Sequence, residues 1–280
     1  MDKYTTIIEV ADVQAHISPC FIFDCRSSLA DDDYGQNAFN EGHIPNAQFA
    51  DLNRQLSGSI IPGKTGRHPL PSKEIFVDQI RAWGVTNGSQ IIVYDDNQGA
   101  FAARLWWMFR WVGHHAVAVL NGGLQAWRSA GMEVVTESQE AVISSFEHSS
   151  ALTKSIEVDN VLNQPGILTD ARDAARFRGE VEPIDAVAGH IPGATCLPFT
   201  DNLSDNKFKP ADELKQRFME AGIEPGTSVT CYCGSGVTAA HNILALIHAG
   251  FDEPTLYPGS WSDWITDPAR PIATGASPST

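Results

Sequence analysis

The fold is decided by the stretch Val229-Thr230-Cys231-Tyr232-Cys233-Gly234-Ser235-Gly236-Val237-Thr238-Ala239-Ala240-His241-Asn242. Its first part, up to Cys233, is rich in β-branched and aromatic residues, which is typical of a strand buried on both faces of a parallel sheet. After Gly236 the apolar residues recur at spacings of three and four as far as Ile247, which predicts a helix that ends before Gly250. A strand, a tight loop with glycines and a helix together predict an α/β domain.

The chain contains the same set of motifs twice. The pairs, in chain order, are residues 23–26 with 169–172, 42–47 with 189–194, 91–95 with 229–233, and 121–127 with 258–264. Their common order and nearly constant offset indicate a duplicated domain. We therefore predict two domains, residues 1–135 and 156–280, joined by a polar linker over residues 136–155. Each domain is expected to hold a parallel sheet flanked by helices on both faces.

The composition excludes several classes of protein. The formal net charge of the 280 residues is -15 and no run of Lys or Arg is present, so we expect neither nucleic acid nor an anionic membrane as the main partner. No signal peptide and no apolar run long enough to span a membrane is visible. The cysteines are odd in number and irregularly spaced, which argues against a disulfide scaffold and favours a cytoplasmic protein with reduced thiols.

Cys233 is the candidate nucleophile. Ligands of open α/β sheets lie beyond the carboxyl ends of the strands, and Cys233 closes a predicted strand. The glycines of the following Gly-Ser-Gly can turn main-chain N–H groups inward, and the helix start adds partial positive charge, which together favour an anion such as a thiolate. Position alone leaves open that Cys233 is a buried core cysteine, as we expect for Cys231. The Cys-x-Cys pair lacks further ligands at metal spacing, so no zinc site is predicted.

The first half provides an internal comparison. Asp95 stands where the second half has Cys233. A carboxylate cannot act as a sulfur nucleophile, so we predict that the first domain is inactive.

These motifs resemble those of tandem-domain rhodanese-type sulfurtransferases over residues 5 to 272. The resemblance is carried by residues 233–238, the two Gly-His-Ile-Pro motifs, and the segments 170–172, 176–179 and 259–261. It implies two rhodanese-like domains with an active second half and no metal or organic cofactor. It also implies that a small-molecule donor passes sulfane sulfur to Cys233 as a persulfide, which a thiol, cyanide or thioredoxin then accepts.

The residues of the loop after Cys233 indicate which sulfur donor the protein uses. The thiosulfate branch of the family has two basic residues there, whereas Gly234 and Ser235 are uncharged and resemble the 3-mercaptopyruvate branch. That branch implies a proton relay of Asp51, His68 and Ser235. Thiosulfate:cyanide sulfurtransfer remains the alternative activity, and a sulfur-carrier module without catalysis is a further one.

The resemblance also implies residues that hold the substrate. Arg176 matches an arginine that grips the donor's carboxylate, and residues 234 and 236–238 (Gly234, Gly236, Val237 and Thr238) form the loop that cradles the sulfur. One departure is clear, because a second arginine is expected where this chain has Ile184. Arg178 is the nearest residue that could replace it.

Two alternative functions, nucleotide binding and phosphatase activity, are not favoured by the sequence. Residues 58–65 fit the phosphate-binding pattern G-x-x-x-x-G-K-[ST], but no buried strand precedes them, and Pro69 and Pro71 oppose a helix after them. A cysteine phosphatase needs an arginine where this chain has Ala239, so phosphate would lose its bidentate partner.

Overall fold

The computed structural model describes residues 3–16, 20–138 and 140–276, and the chain divides into two compact units. The first unit contains the described residues up to 58 together with 70–152, and the second contains residues 59–69 and those from 153 onward. Segment 59–69 therefore packs with the second unit, although it lies within the first repeat of the sequence. The described residues of the expected linker up to Leu152 pack on the first unit: the Leu152 N–H donates to the Arg110 carbonyl over 2.9 Å.

The first unit is built on a parallel sheet. Within its described residues the strands are arranged in the order β1-β5-β4-β2-β3, and every neighbouring pair is parallel. The bounds are β1 Ile7–Ile8, β2 Cys20–Asp24, β3 Ala47–Phe49, β4 Gln90–Tyr94 and β5 Val117–Leu120. The helices are α1 Val10–His16, α2 Tyr34–Glu41, α3 Lys73–Ala82, α4 Ala102–Trp111 and α5 Gly123–Ser129.

The second unit repeats this topology. Within its described residues a parallel sheet has the order β6-β12-β11-β7-β8, which matches the first sheet strand for strand. The strands are β6 Lys154–Ser155, β7 Ile167–Asp170, β8 Thr195–Cys196, β9 Leu203–Ser204, β10 Lys207–Phe208, β11 Val229–Tyr232 and β12 Thr255–Leu256. The helices are α6 Ala174–Arg178, α7 Ala211–Glu220, α8 Thr238–His248 and α9 Ser260–Trp264, with 3₁₀ turns at Val158–Asn163 and Phe199–Asn202. Strands β9 and β10 form a separate antiparallel hairpin.

The sequence predictions for the central strands and the helix after Gly236 are confirmed. Strand β11 is buried at every position, as expected for a strand covered on both faces. Helix α8 ends at His248, and Gly250 adopts a φ of 86°, the left-handed conformation that glycine adopts without penalty after a helix.

The repeated Asp-x-Arg and Gly-His-Ile-Pro motifs form the same buried ion pair in each unit. In the second unit, Arg172 donates to Asp170 from Nη2 over 2.7 Å and to the Gly189 carbonyl over 2.7 Å. The Tyr232 hydroxyl accepts the Ile191 N–H over 3.1 Å and ties the motif to β11. The first unit has the same contacts among Arg26, Asp24, Gly42, Tyr94 and Ile44. These motifs therefore join the carboxyl ends of two neighbouring strands in each unit, β7 and β11 in the second and β2 and β4 in the first.

No helix among the described residues is both long enough and apolar enough to cross a membrane.

Candidate active site

Cys233 directly follows β11 and is held by the turn that begins α9. Its N–H donates to the hydroxyl of Ser260 over 3.0 Å, and its Sγ lies 4.0 Å from the same oxygen. Its carbonyl accepts the Trp261 N–H over 3.0 Å, and the Gly234 carbonyl accepts the Ser262 N–H over 2.9 Å. The side chain is 1% exposed. Two consecutive peptide groups are thus fixed on one side of the loop.

This fixation sets the direction of the loop amides. In a trans peptide the N–H points opposite to the carbonyl of the same peptide group. The N–H groups of Gly234 and Ser235 therefore point away from the turn that binds the carbonyls. Gly236 has a φ of 76°, and a Cβ there would collide with the Pro258 carbonyl, so the turn requires glycine. Thr238 then opens α8, whose N-terminus carries partial positive charge.

The corresponding loop of the first unit is filled by its own carboxylate. Asp95 Oδ1 accepts the N–H groups of Asn97 and Gly99 over 2.9 and 2.8 Å, and Oδ2 accepts those of Phe101 and Ala102 over 2.8 Å each. Burial raises the pKa of this carboxyl, and the four donors oppose that effect. A loop at this place in the fold is therefore able to surround an anion with main-chain donors, which is the property that we expect at Cys233.

His68 reaches the same loop from segment 59–69. Its Nδ1 lies 2.7 Å from the Ser235 hydroxyl, and both side chains are buried. The preceding Arg67 N–H donates to the Ser262 hydroxyl over 3.1 Å. A Cβ at Gly66 would lie 2.6 Å from both the Gly259 carbonyl and that hydroxyl, so the backbone passes too close to the turn for any other residue. The predicted pairing of His68 with Ser235 is thus present in the structure.

Asp51 belongs to the first unit, where it stabilises a local turn. Its Oδ1 accepts the N–H groups of Asn53 and Arg54 over 2.8 and 3.0 Å. This arrangement explains the residue structurally, and its part in a relay stays a prediction from the motif.

Arg176 lies on α6 in a buried ionic cluster. Its Nε and Nη2 both donate to Glu182, at 3.0 and 2.7 Å to Oε1, and Nη2 donates to Asp185 over 3.0 Å. Asp185 also binds Arg67, which directly precedes His68 in the chain but was not selected from the sequence. Burial lowers the pKa of Arg67, but a guanidinium remains protonated under ordinary conditions.

Both arginines lie beside Gly234. A Cβ at Gly234 would be 2.9 Å from Nη2 of Arg67, and 3.7 and 3.8 Å from Nη2 and Nη1 of Arg176. A basic side chain at this position would add a third positive charge beside the two guanidinium groups, which is electrostatically unfavourable.

The remaining candidates lack the required surroundings. Lys64 and Thr65 lie in a turn, and no helix begins until Lys73, so the phosphate-binding pattern lacks its helix. Burial raises the pKa of Cys231 to about 12, which disfavours its thiolate. Arg178 forms a pair with Glu180 at the surface. No group of three His, Cys, Asp or Glu among the described residues is placed to hold a metal ion.

Comparison with known proteins finds relatives that match both halves of the chain. The model of the rhodanese-like domain matches residues 9–130 and 154–267. A probable 3-mercaptopyruvate sulfurtransferase of Pseudomonas aeruginosa is 50% identical over 261 residues, covering 91% of this chain and 92% of that protein. A putative thiosulfate sulfurtransferase of Mycobacterium tuberculosis is 39% identical over 279 residues, covering 97% of each.

Solved structures show the same likeness. The 3-mercaptopyruvate sulfurtransferase of Leishmania major has a TM-score of 0.83 at 35% identity, covering 92% of this chain and 73% of that chain. The 3-mercaptopyruvate sulfotransferase structure from Escherichia coli has a TM-score of 0.80 at 33% identity, covering 92% of this chain and 100% of that chain.

Proposed function

The chain belongs to the rhodanese family, and we propose that it is a sulfurtransferase that carries sulfane sulfur from 3-mercaptopyruvate to a thiol or cyanide through a persulfide on Cys233. The observation that carries this proposal is the loop after β11. It fixes Cys233 at the carboxyl end of the sheet and brings the Ser235–His68 hydrogen bond onto the same loop. Two relatives that match more than nine-tenths of this chain carry names for this reaction.

The first half-reaction forms the persulfide. The Cys233 thiolate attacks the sulfur of 3-mercaptopyruvate, an S–S bond forms, and the electrons of the C–S bond pass to the methylene carbon. The resulting enolate takes a proton to become pyruvate, and the thiol of the donor loses one. The Ser235–His68 pair is placed to accept that proton and return it to carbon, so that no oxidant or reductant is consumed. Asp51 is proposed as the third member of this relay, on the motif alone.

The second half-reaction removes the sulfur. An acceptor thiolate attacks the outer sulfur of the persulfide, the S–S bond to Cys233 breaks, and the cysteine thiolate is restored. Cyanide would leave as thiocyanate by the same attack. A thioredoxin-type dithiol would release hydrogen sulfide and become a disulfide, and we propose it as one acceptor to be compared with small thiols. The thiolates that both steps need fit a reducing, cytoplasmic location, which is also a proposal.

Parallel measurement of kcat/KM for 3-mercaptopyruvate and thiosulfate tests the proposal. We expect the ratio to favour 3-mercaptopyruvate, and we expect Cys233→Ser to abolish transfer from both donors while Cys25→Ser, a buried cysteine of the first unit, retains activity. A preference for thiosulfate would support the alternative thiosulfate:cyanide activity. Absence of turnover with either donor would contradict a catalytic role.

A further inference from the structure

Two guanidinium groups, those of Arg67 and Arg176, face the main chain of Gly234, one residue from the nucleophile. We propose that Arg67 and Arg176 together bind the carboxylate of the sulfur donor, and that Arg67 supplies the second arginine of this subsite. The identity of the donor rests on the proposed function, whereas the carboxylate subsite itself does not. The subsite would accept short α-keto carboxylates.

The hydrogen bonds that the two arginines form with Glu182 and Asp185 do not use all of their N–H groups. A guanidinium has five N–H donors in a planar fork. Arg67 binds Asp185 through Nη1, and Arg176 binds Glu182 and Asp185 through Nε and Nη2. Among the described residues, nothing accepts a hydrogen bond from Nη2 of Arg67 or Nη1 of Arg176, and these are atoms found near Gly234. The Nε of Arg67 is also buried without a partner there.

The acidic residues orient the arginines. Asp185 binds Arg67 through one oxygen and Arg176 through the other, and its side chain is 3% exposed. Glu182 holds Arg176 in a bidentate pair and accepts the N–H groups of Ile184 and Asp185 over 3.1 and 3.0 Å. The two guanidinium groups are therefore held in place before a donor arrives, which lowers the entropy lost on binding.

The charges of this cluster favour a singly charged ligand. Arg67 and Arg176 carry two positive charges, and Glu182 and Asp185 carry two negative charges. Arg172 also binds Glu182 and is itself paired with Asp170, so the cluster is neutral as a whole. A single carboxylate can accept hydrogen bonds from the guanidinium groups in a bidentate manner, and it loses less hydration free energy than a dianion on entering a site with no net charge.

At position 184, where the family resemblance predicts an arginine, this chain has an isoleucine with a different role. Ile184 is 42% exposed, and it contributes its main-chain N–H to the turn that holds Arg176. Arg67 approaches from segment 59–69, so a guanidinium reaches the subsite from a distant part of the sequence. Arg67 thus provides the guanidinium group that is missing at position 184.

Kinetics and direct binding of Arg67 variants test the inference. We would measure KM and kcat with 3-mercaptopyruvate and with thiosulfate for Arg67→Gln, Arg67→Lys and Arg178→Gln. Each substitution would also be combined with Cys233→Ser and titrated with pyruvate by calorimetry. Arg67→Gln should raise the KM for 3-mercaptopyruvate and the Kd for pyruvate by about 10- to 100-fold, the scale of a lost hydrogen bond to a charged group, with little change in kcat.

The controls separate binding from folding and from the relay. Arg67→Lys should lie between wild type and Arg67→Gln, because it keeps the charge and loses the fork. Arg178→Gln should match wild type, because that side chain is paired with Glu180 at the surface. Unchanged KM and Kd in Arg67→Gln, or a fall in kcat with unchanged KM, would overturn the inference. So would an equal loss with thiosulfate. Pyruvate binding that depends on Arg67 in a protein without turnover would support the subsite and refute the proposed function.

Discussion

The hydroxyl oxygen of Ser235 lies 2.7 Å from Nδ1 of His68, although 167 residues separate them in the chain. The contact exists because segment 59–69 packs with the second unit rather than with the repeat that surrounds it in the sequence. Both side chains are buried, so a proton that passes between them is shielded from exchange with bulk water. The pair therefore combines a hydroxyl on the loop of the nucleophile with an imidazole, a group that can accept and donate protons.

Removal of either member should slow persulfide formation. We expect Ser235→Ala and His68→Asn to lower kcat with 3-mercaptopyruvate by about 10² to 10⁴-fold, the usual contribution of general acid–base catalysis. The double variant should lose little more than the more damaging single variant, because the two act as a unit. Stopped-flow release of pyruvate measures this step. His115→Asn, an exposed histidine, serves as the control, and wild-type pyruvate release in both variants would refute the relay.

Ser260 should be needed for the position of Cys233. It has a φ of 56°, an unusual conformation for a residue with a side chain, and its hydroxyl accepts the Cys233 N–H and donates to the Tyr257 carbonyl over 2.9 Å. Ser260→Ala leaves a buried N–H unpaired and should lower the free energy of unfolding by about 1–3 kcal/mol.

Ser260→Gly separates the two contributions. It loses the same hydroxyl but relieves the left-handed backbone, so it should be more stable than Ser260→Ala by about 1 kcal/mol. Urea denaturation measures the difference, with the exposed Ser155→Ala as control. Equal stability of the Ala and Gly variants would show that the backbone at this position is not strained.

Asp95 should stabilise the first unit. Asp95→Asn places an amide group where four main-chain donors converge, so at least one buried donor loses its acceptor. We expect a loss of about 2–3 kcal/mol in the free energy of unfolding. Thermal and urea unfolding would be compared with Glu41→Gln, an exposed carboxylate of the same unit. A variant as stable as wild type would contradict the structural role of this carboxylate.

The stability of the first unit should depend on pH through His114. Burial lowers the pKa of His114 to about 4, so the folded chain holds the neutral ring and the unfolded chain binds a proton near pH 6.5. The stabilising contribution is complete above the unfolded pKa and is lost as the pH falls towards 4. Between pH 7 and 5 the free energy of unfolding should fall by about 2 kcal/mol from this group.

Variants of His114 and its neighbour test whether His114 causes this pH dependence of the free energy of unfolding. His114→Gln should reduce the difference in urea stability between pH 7 and pH 5, whereas His115→Gln, its exposed neighbour, should leave it unchanged. An unchanged pH dependence in His114→Gln would show that this histidine is not the group responsible.

The main features of the fold were predictable from local pattern and repetition. The buried run that became β11, the helical spacing that became α8 and the glycine after it are each encoded within a few residues. The duplicated motifs correctly indicated two domains, each with a parallel sheet. The place of segment 59–69 was indicated only by the resemblance that joins His68 to Ser235, because its packing depends on close approach of Gly66 to the turn at Gly259 rather than on periodicity.

The site was predictable only where a motif marks it. Cys233 was proposed from the strand–loop–helix motif and the Ser235–His68 pair from the family resemblance, whereas Arg67, Asp185 and Ser260 were not selected. These three act through contacts with residues far away in the sequence, and an arginine, an aspartate or a serine gives no local signal of such a contact. One indication of a role for Arg67 was present in the sequence, because this residue directly precedes His68.

The most direct test of the account is mass spectrometry of the peptide that contains Cys231 and Cys233 after the protein has reacted with 3-mercaptopyruvate in the absence of an acceptor. Wild type and Cys231→Ser should each gain one sulfur atom on this peptide, and a thiol added afterwards should remove it. Cys233→Ser should gain none, because burial disfavours the thiolate of Cys231. A stable extra sulfur in Cys233→Ser, or none in wild type, would contradict the assignment of Cys233 as the sulfur carrier.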